Sequence, residues 1–244
     1  MFTRVKVKNY KSLMDLDVDL SSKKNVAKPL VIVYGENGIG KTNFANIFLT
    51  LQSSLRTMSL KTRLQNMFEE YKKKDLLKEQ SLNEFLKRYL WDTETIIKKS
   101  KTINSKENMR LEFEFVISDK HGKYIIEYDN SKIVYEKLEY VLNKNKVSFY
   151  EINGDDINVN DKIFKDKEYY KEFYSILEKY NGKHSFLSAL VFEIDDAAKG
   201  YVEEKISGRL YEVISSFILM SIRVKSGSQI ERGSLSVTHK LLMN

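Results

Sequence analysis

The chain carries the octapeptide Gly35-Glu36-Asn37-Gly38-Ile39-Gly40-Lys41-Thr42 close to its start. The octapeptide satisfies G-x-x-x-x-G-K-[ST], the pattern of a phosphate-binding loop, at every fixed position. The glycines let the backbone curl so that successive N–H groups point inward as an anion nest, and the following helix adds the positive end of its dipole. We expect the Lys41 ammonium to reach the β- and γ-phosphates of a nucleotide and the Thr42 hydroxyl to ligate Mg²⁺. The octapeptide therefore predicts binding of ATP with Mg²⁺, and GTP is the alternative nucleotide.

The residues on both sides of the octapeptide have the pattern that such a loop requires. Residues 30–34 (Leu-Val-Ile-Val-Tyr) form an apolar run without alternation, which predicts a central strand covered on both faces. Residues 42–55 have helical spacing, with their apolar side chains on one face. The alternative interpretation of the octapeptide is a glycine-rich strand-to-helix turn that binds no ligand.

Apolar and helical periodicity predicts the remaining elements. Residues 2–10 and 16–20 alternate in hydrophobicity and predict a β-hairpin with its turn near residues 11–14. The charged region 60–99 predicts two amphipathic helices packed as a hairpin. Four alternating segments between residues 109 and 152, separated by polar turns, predict an antiparallel meander, with one turn at residues 119–123. Further helices are predicted at residues 165–180 and 201–222.

Two short motifs resemble those of a known family. Asn9-Tyr10-Lys11-Ser12 follows the opening strand, and Asn43 follows the loop's Lys41-Thr42. Both features resemble the RecF/SMC/OLD-like ABC-type ATPases, often called AAA family ATPases. The resemblance implies that Lys11 and Ser12 lie beside the nucleotide, whereas an exposed turn is the alternative for these two residues. The expected cofactor-binding residues are Gly35, Glu36, Asn37, Gly38, Ile39, Gly40, Lys41, Thr42, Asn43, Lys11 and Ser12, with Lys41 also catalytic and Thr42 the magnesium ligand.

The resemblance also implies a fold and a division of the chain. The expected fold class is α/β, a P-loop NTPase of which this chain holds the first lobe of an ABC-type head, with a helical insertion and an antiparallel β arm. Residues 1–58 would contain the hairpin, the loop strand and the first helix, and residues 59–105 the insertion. Residues 106–160 would form the β arm, and residues 161–244 a helical region that begins the second part of the ATPase.

Two motifs of this family have no convincing counterpart in the chain. The best candidate for a Walker B strand is residues 190–196, but Glu193 interrupts the apolar run and Asp196 stands in place of a catalytic glutamate. A solvated strand or a helix end explains these residues better. Residues 225–229 (Lys-Ser-Gly-Ser-Gln) resemble the signature motif, but a surface turn is the better interpretation. We therefore interpret the chain as the front half of a longer ATPase, divided by truncation or at the gene level.

Composition excludes several other classes of site. The chain has no Cys and three widely separated His residues, which argues against disulfides and zinc sites and favours a reducing compartment. We see no signal peptide and no apolar run long enough to span a bilayer, so we expect a cytoplasmic protein without a membrane partner. The net charge is +7, and residues 1–100 hold 19 Lys/Arg against 11 Asp/Glu, which suits a polyanion such as DNA.

These features lead to three functional hypotheses. The first, which the family resemblance implies, is a nucleotide-driven dimerisation switch in anti-phage defence or DNA maintenance. Two copies would sandwich two ATP molecules, or a partner chain would supply the missing motifs, and the family implies a nuclease or toxin effector. ATP hydrolysis is then expected of the full-length or assembled protein. The second hypothesis is a non-hydrolysing nucleotide-binding regulatory subunit, and the third is a P-loop kinase, which the eight scattered Arg residues disfavour.

Overall fold

A computed structural model describes residues 1–24, 26–59, 91–198 and 200–220 of the 244-residue chain. This part folds as an α/β protein with a mostly antiparallel sheet and several helices. The strands are β1 (Phe2–Tyr10), β2 (Leu13–Asp19), β3 (Ser21–Lys23), β4 (Val26–Ala27), β5 (Met109–Ile117), β6 (Lys120–Tyr128), β7 (Ile133–Val141), β8 (Lys146–Asn153) and β9 (Asp156–Val159). The helices are α1 (Lys41–Ser54), α2 (Thr93–Ser100), α3 (Lys167–Tyr180), α4 (Phe186–Asp196), α5 (Tyr201–Lys205) and α6 (Gly208–Ile218).

One large antiparallel sheet joins the start of the chain to its middle. The seven strands lie in the order β2-β1-β5-β6-β7-β8-β9, and β3 pairs separately with β4. The link between the opening hairpin and the meander is the pairing of β1 with β5, in which Val5 lies opposite Phe113. The predicted hairpin and four-stranded meander are confirmed, and β9 adds a fifth strand that the sequence interpretation did not include.

The turn between β5 and β6 is shorter than predicted. We expected it at residues 119–123, but β6 already begins at Lys120, which lies opposite Ile117. The two connecting residues, Ser118 and Asp119, have φ values of 45° and 57°. Positive φ at both central positions is the geometry of a two-residue type I′ turn, which matches the right-handed twist of the flanking strands. Gly122 is therefore a strand residue, and a Cβ added there would lie 2.3 Å from Cζ of Phe115.

Helix α1 packs against one face of the sheet through apolar and aromatic side chains. Ile47 and Leu51 of α1 are fully buried. The ring of Phe48 lies 5.2 Å from that of Phe2 on β1 and 6.1 Å from that of Phe113 on β5. These contacts place the first turn of α1, and with it the predicted phosphate-binding loop, beside the β1–β2 end of the sheet.

The region predicted as one helix over residues 201–222 contains two. Ile206 and Ser207 separate α5 from α6, because Ile206 pairs with Phe164 as an isolated bridge and the Ser207 N–H donates to the Ile163 carbonyl at 2.7 Å. The Ser207 hydroxyl then accepts from the N–H of Leu210 and begins α6. Within the charged region 60–99, only α2 lies in the part of the chain that the structure describes, and the rest of the predicted helical hairpin lies outside it.

The prediction of a buried strand at residues 30–34 is wrong. These residues form no strand, and their side chains are 42% to 89% exposed. An apolar run becomes a covered central strand only when neighbouring strands and a layer on each face exist to cover it. None of the described strands pairs with this segment. Among the described residues, no helix is long and apolar enough to cross a membrane.

Candidate phosphate-binding loop

The backbone of residues 35–42 curls in the way that the glycine spacing predicts. Gly35, Gly38 and Gly40 have φ values of 152°, 89° and 105°, which side-chain-bearing residues rarely adopt. Residues 35–39 are exposed, so a ligand can reach the loop. The loop ends at Gly40, whose carbonyl accepts the N–H of Phe44 at 2.9 Å and thereby begins α1.

Lys41 folds back over the loop. Its ammonium donates to the carbonyl oxygens of Gly35 and Glu36, both at 2.6 Å. The ammonium is therefore held against the backbone at the start of the loop. Thr42 lies in the first turn of α1 with its side chain exposed, so its hydroxyl is accessible to a metal ion. The first N–H groups of any helix have no intrahelical acceptor, and no side chain caps this helix start.

The two motifs that resemble the ATPase family lie next to each other in the fold. The side-chain amide of Asn43 donates to the Ser12 hydroxyl at 2.8 Å. A Cβ added to Gly40 would lie 2.9 Å from Cδ2 of Leu13 and 3.4 Å from the Ser12 hydroxyl, so the β1–β2 turn packs directly on the loop. In this turn Ser12 is exposed and Lys11 is half-buried.

Residues at the C-terminal end of α2 and just after it hold the turn that carries Lys11. Lys11 has a φ of 49°, its N–H donates to the Ser100 carbonyl at 2.7 Å, and its carbonyl accepts the Thr102 hydroxyl at 2.8 Å. Burial, together with the neighbouring Lys99 ammonium, lowers the pKa of Lys11. The positive charge of Lys11 is thus destabilised in the free protein, and a bound anion would relieve that effect.

Sequence reasoning identified Asn9 only as part of a family motif and missed the contacts by which it shapes this turn. Asn9 also has a positive φ, 52°, and its side-chain amide donates to the Glu107 carboxylate and the Asn108 carbonyl. Asparagine is among the few residues that tolerate the left-handed region, so Asn9, one residue before the end of β1, was the available signal. Its partners lie about a hundred residues away and could not be identified by local spacing.

The other family motifs are not found in the described residues. The Walker B candidate at residues 190–196 lies in α4, which confirms the interpretation as a helix end rather than a buried strand. The signature candidate at residues 225–229 lies outside the described residues. Gln52 makes a structural contact: its side-chain amide donates to the carbonyls of Ile218 and Met220 at the end of α6. Within the described ranges, no three His, Asp or Glu side chains are grouped as a metal site.

Comparison with known proteins adds no relative to this picture: neither a scan against protein-family models nor a search of curated proteins found a match.

Proposed function

We propose that this chain binds ATP with Mg²⁺ at residues 35–42 and acts as a nucleotide-driven switch of the RecF/SMC/OLD-like ABC type. Lys41 would contact the β- and γ-phosphates, Thr42 would ligate Mg²⁺, and Lys11 and Ser12 would lie beside the phosphates. In the assembled form, two copies or a partner chain would close over the nucleotide and complete the hydrolytic site. An effector nuclease or toxin and DNA are the partners that this proposal includes.

One observation carries the proposal. The Lys41 ammonium lies 2.6 Å from the carbonyl oxygens of Gly35 and Glu36, in a curled glycine-rich loop that leads into the start of α1, which no side chain caps. This combination of main-chain N–H groups, one cation and a helix N-terminus is chemistry suited to a phosphate. The contact between Asn43 and Ser12 supports it further, because it brings both motifs of the resemblance to one place. The segment before the loop does not add support, since residues 30–34 are exposed.

A non-hydrolysing nucleotide-binding subunit is the second candidate. The observation that favours it is the helical conformation of residues 190–196, which removes the best candidate for a catalytic carboxylate at a strand end. Binding without turnover is therefore the expectation for this chain when it is assayed alone.

Calorimetry with ATP in the presence of Mg²⁺ tests the binding proposal. We expect wild type to bind, and Lys41→Ala to bind at least about tenfold more weakly because it loses charge-assisted contacts to phosphate. Thr42→Ala should reduce the gain in affinity that Mg²⁺ provides while affecting metal-free ATP less. Lys24→Ala removes one exposed positive charge outside the loop and serves as the matched control.

An ATPase assay on the same proteins separates the two candidates. Turnover that appears only when a second chain is added favours the switch, whereas binding without turnover under all conditions favours the regulatory subunit. Absence of heat with wild type, or equal heats for wild type and Lys41→Ala, would contradict nucleotide binding at this loop.

A further inference from the structure

A second basic feature lies away from the phosphate-binding loop. An open groove of about 680 Å³ lies between the β7–β8 hairpin, the segment before α3 and the start of α6. We call it the basic groove, and its lining residues are Leu142, Asn143, Lys162, Lys165, Ser207, Gly208 and Arg209. Three of the seven are cationic and none is a carboxylate.

Backbone pairing holds the cations of the basic groove together. The N–H of Lys165 donates to the Lys205 carbonyl at 2.7 Å, and the N–H of Ser207 donates to the Ile163 carbonyl at 2.7 Å. These two bonds flank the bridge between Phe164 and Ile206, whose side chains are buried. The segment that carries Lys162 and Lys165 is thus fixed against the residues that begin α6, although the two lie some forty residues apart in the sequence.

The ammonium groups of the groove are not neutralised by acidic neighbours. Among the described residues, no carboxylate lies within ion-pair distance of the Lys162 or Lys165 ammonium, and Lys165 contacts only the Glu203 carbonyl, at 3.5 Å. Arg209 does have a partner: its Nη1 lies 2.9 Å from the Glu212 carboxylate, which also accepts the Ser118 hydroxyl. That pairing leaves the remaining guanidinium donors of Arg209 available.

Lys162 and Lys165 belong to a part of the chain in which acidic residues outnumber basic ones. Residues 101–200 hold 16 Lys/Arg against 19 Asp/Glu, a net charge of −3. Gly208 adds a second feature, because a Cβ placed on it would meet no atom within 4 Å. The main chain at the rim of the groove is therefore uncovered, and a ligand can approach it closely.

We propose that the basic groove binds a phosphate group, held between the ammonium groups of Lys162 and Lys165 and the guanidinium of Arg209. Lysine and arginine match the charge of a phosphate, and among the described residues Lys162 and Lys165 have no carboxylate partner. The uncovered backbone at Gly208 allows additional N–H contacts. The phosphate can belong to a free ion or to a nucleic-acid backbone, since both present the same anionic oxygens. The site is independent of the phosphate-binding loop and does not rest on the function proposed for that loop.

The test uses the full chain with Lys41→Ala, so that the loop contributes little to anion binding. Calorimetry with inorganic pyrophosphate and fluorescence anisotropy with a labelled single-stranded oligonucleotide are the two arms. Adding Lys162→Gln and Lys165→Gln should weaken binding at least about tenfold. The loss is expected for pyrophosphate if the groove takes a free phosphate compound, and for the oligonucleotide if it takes a nucleic-acid backbone. The matched control adds Lys132→Gln and Lys171→Gln, two exposed lysines outside the groove, and should change affinity little.

A second pair of variants guards against a general charge effect. Gly208→Asp places a carboxylate at the groove, whereas Gly208→Ala adds only a methyl group, and both have room for the added Cβ. We expect Gly208→Asp to abolish most of the binding and Gly208→Ala to retain it. Binding of pyrophosphate indicates a free phosphate compound, and binding of the oligonucleotide alone indicates a polymer. Absence of binding in both arms, or equal losses in groove and control variants, would overturn the proposal.

Discussion

At the scale of single residues, the most unusual side chain is the buried carboxyl of Glu136 on β7. It accepts hydrogen bonds from the hydroxyls of Tyr124 at 3.0 Å and Tyr150 at 2.8 Å, and from the N–H of Phe186 at 2.7 Å. Burial raises the pKa of Glu136 to about 7, although the hydrogen bonds oppose the rise. Glu136 thus links two strands of the sheet to the N-terminus of α4.

We predict that Glu136 makes the protein less stable as pH rises from about 4.5 to about 7. The raised pKa means that folding favours the protonated carboxyl, so its contribution is fully present below the unfolded-state pKa and is lost as pH rises through the folded-state pKa. The loss is on the order of 3 kcal/mol in the free energy of unfolding. Chemical denaturation of wild type and Glu136→Gln between pH 4 and about 8 measures it.

The comparison with Glu136→Gln isolates this carboxyl from other titrating groups. Glutamine keeps an acceptor for the Phe186 N–H but cannot ionise, so its stability should lack this part of the pH dependence. The difference between the two proteins should therefore shift in favour of Glu136→Gln with rising pH. A difference that stays constant across the range would contradict the assignment.

At the scale of elements, the start of α1 depends on one glycine. Gly40 is the residue before the helix and has a φ of 105°. Gly40→Ala would place a Cβ 2.9 Å from the Leu13 side chain, in addition to the strain of a left-handed backbone, about 1–2 kcal/mol. We predict that this variant weakens ATP binding, because the Leu13 side chain and the Ser12 hydroxyl must shift to make room for the added methyl group beside the loop. Calorimetry and thermal unfolding of the variant measure both effects.

Gly200 provides the matched control for this element. It also precedes a helix, α5, with a φ of 86°, but a Cβ placed there meets no atom within 4 Å. Gly200→Ala should therefore show a similar loss of stability from backbone strain and leave ATP binding unchanged. Equal loss of binding in both variants would show that general destabilisation, rather than the contact with Leu13, is responsible.

At the scale of the whole molecule, the described residues leave one apolar segment uncovered. Val31 and Val33 line an apolar cavity of about 740 Å³ together with Phe44 and Phe48 of α1. Ile32, which lies between them in the sequence, does not line this cavity and is 73% exposed. An extended apolar segment with unpaired backbone groups is prone to association with other chains.

We predict that Ile32→Lys lowers self-association of the purified protein while leaving its thermal stability nearly unchanged. The substitution adds a charge to the outward side of the segment and removes no buried contact. Sedimentation velocity over a range of protein concentrations measures the effect. Ile103→Lys is the control, because Ile103 is 86% exposed at a different site. Equal association of wild type and Ile32→Lys would show that this segment does not cause it.

Local pattern was sufficient for most of the fold and for the candidate loop. The alternation in β1 and in β5 to β8 identified the strands, because a half-buried strand must alternate. The glycine spacing of residues 35–42 predicted their curled backbone, because only glycine adopts those φ values without strain. The apolar pattern did not predict the structure of residues 30–34. An apolar run indicates that a segment would be stable when other elements pack over it, but not whether those elements are present.

By itself, the amino-acid sequence determined the elements with a strong period and the loop whose backbone requires glycine. These features depend on neighbours within a few residues, which local spacing records. Only the tertiary structure decided that Asn43 meets Ser12, that Glu136 accepts the first N–H of α4, and that Lys162 and Lys165 line one groove with Arg209. Each of these contacts joins residues roughly thirty to fifty positions apart, and such distances are set by how the sheet and helices pack rather than by any local pattern.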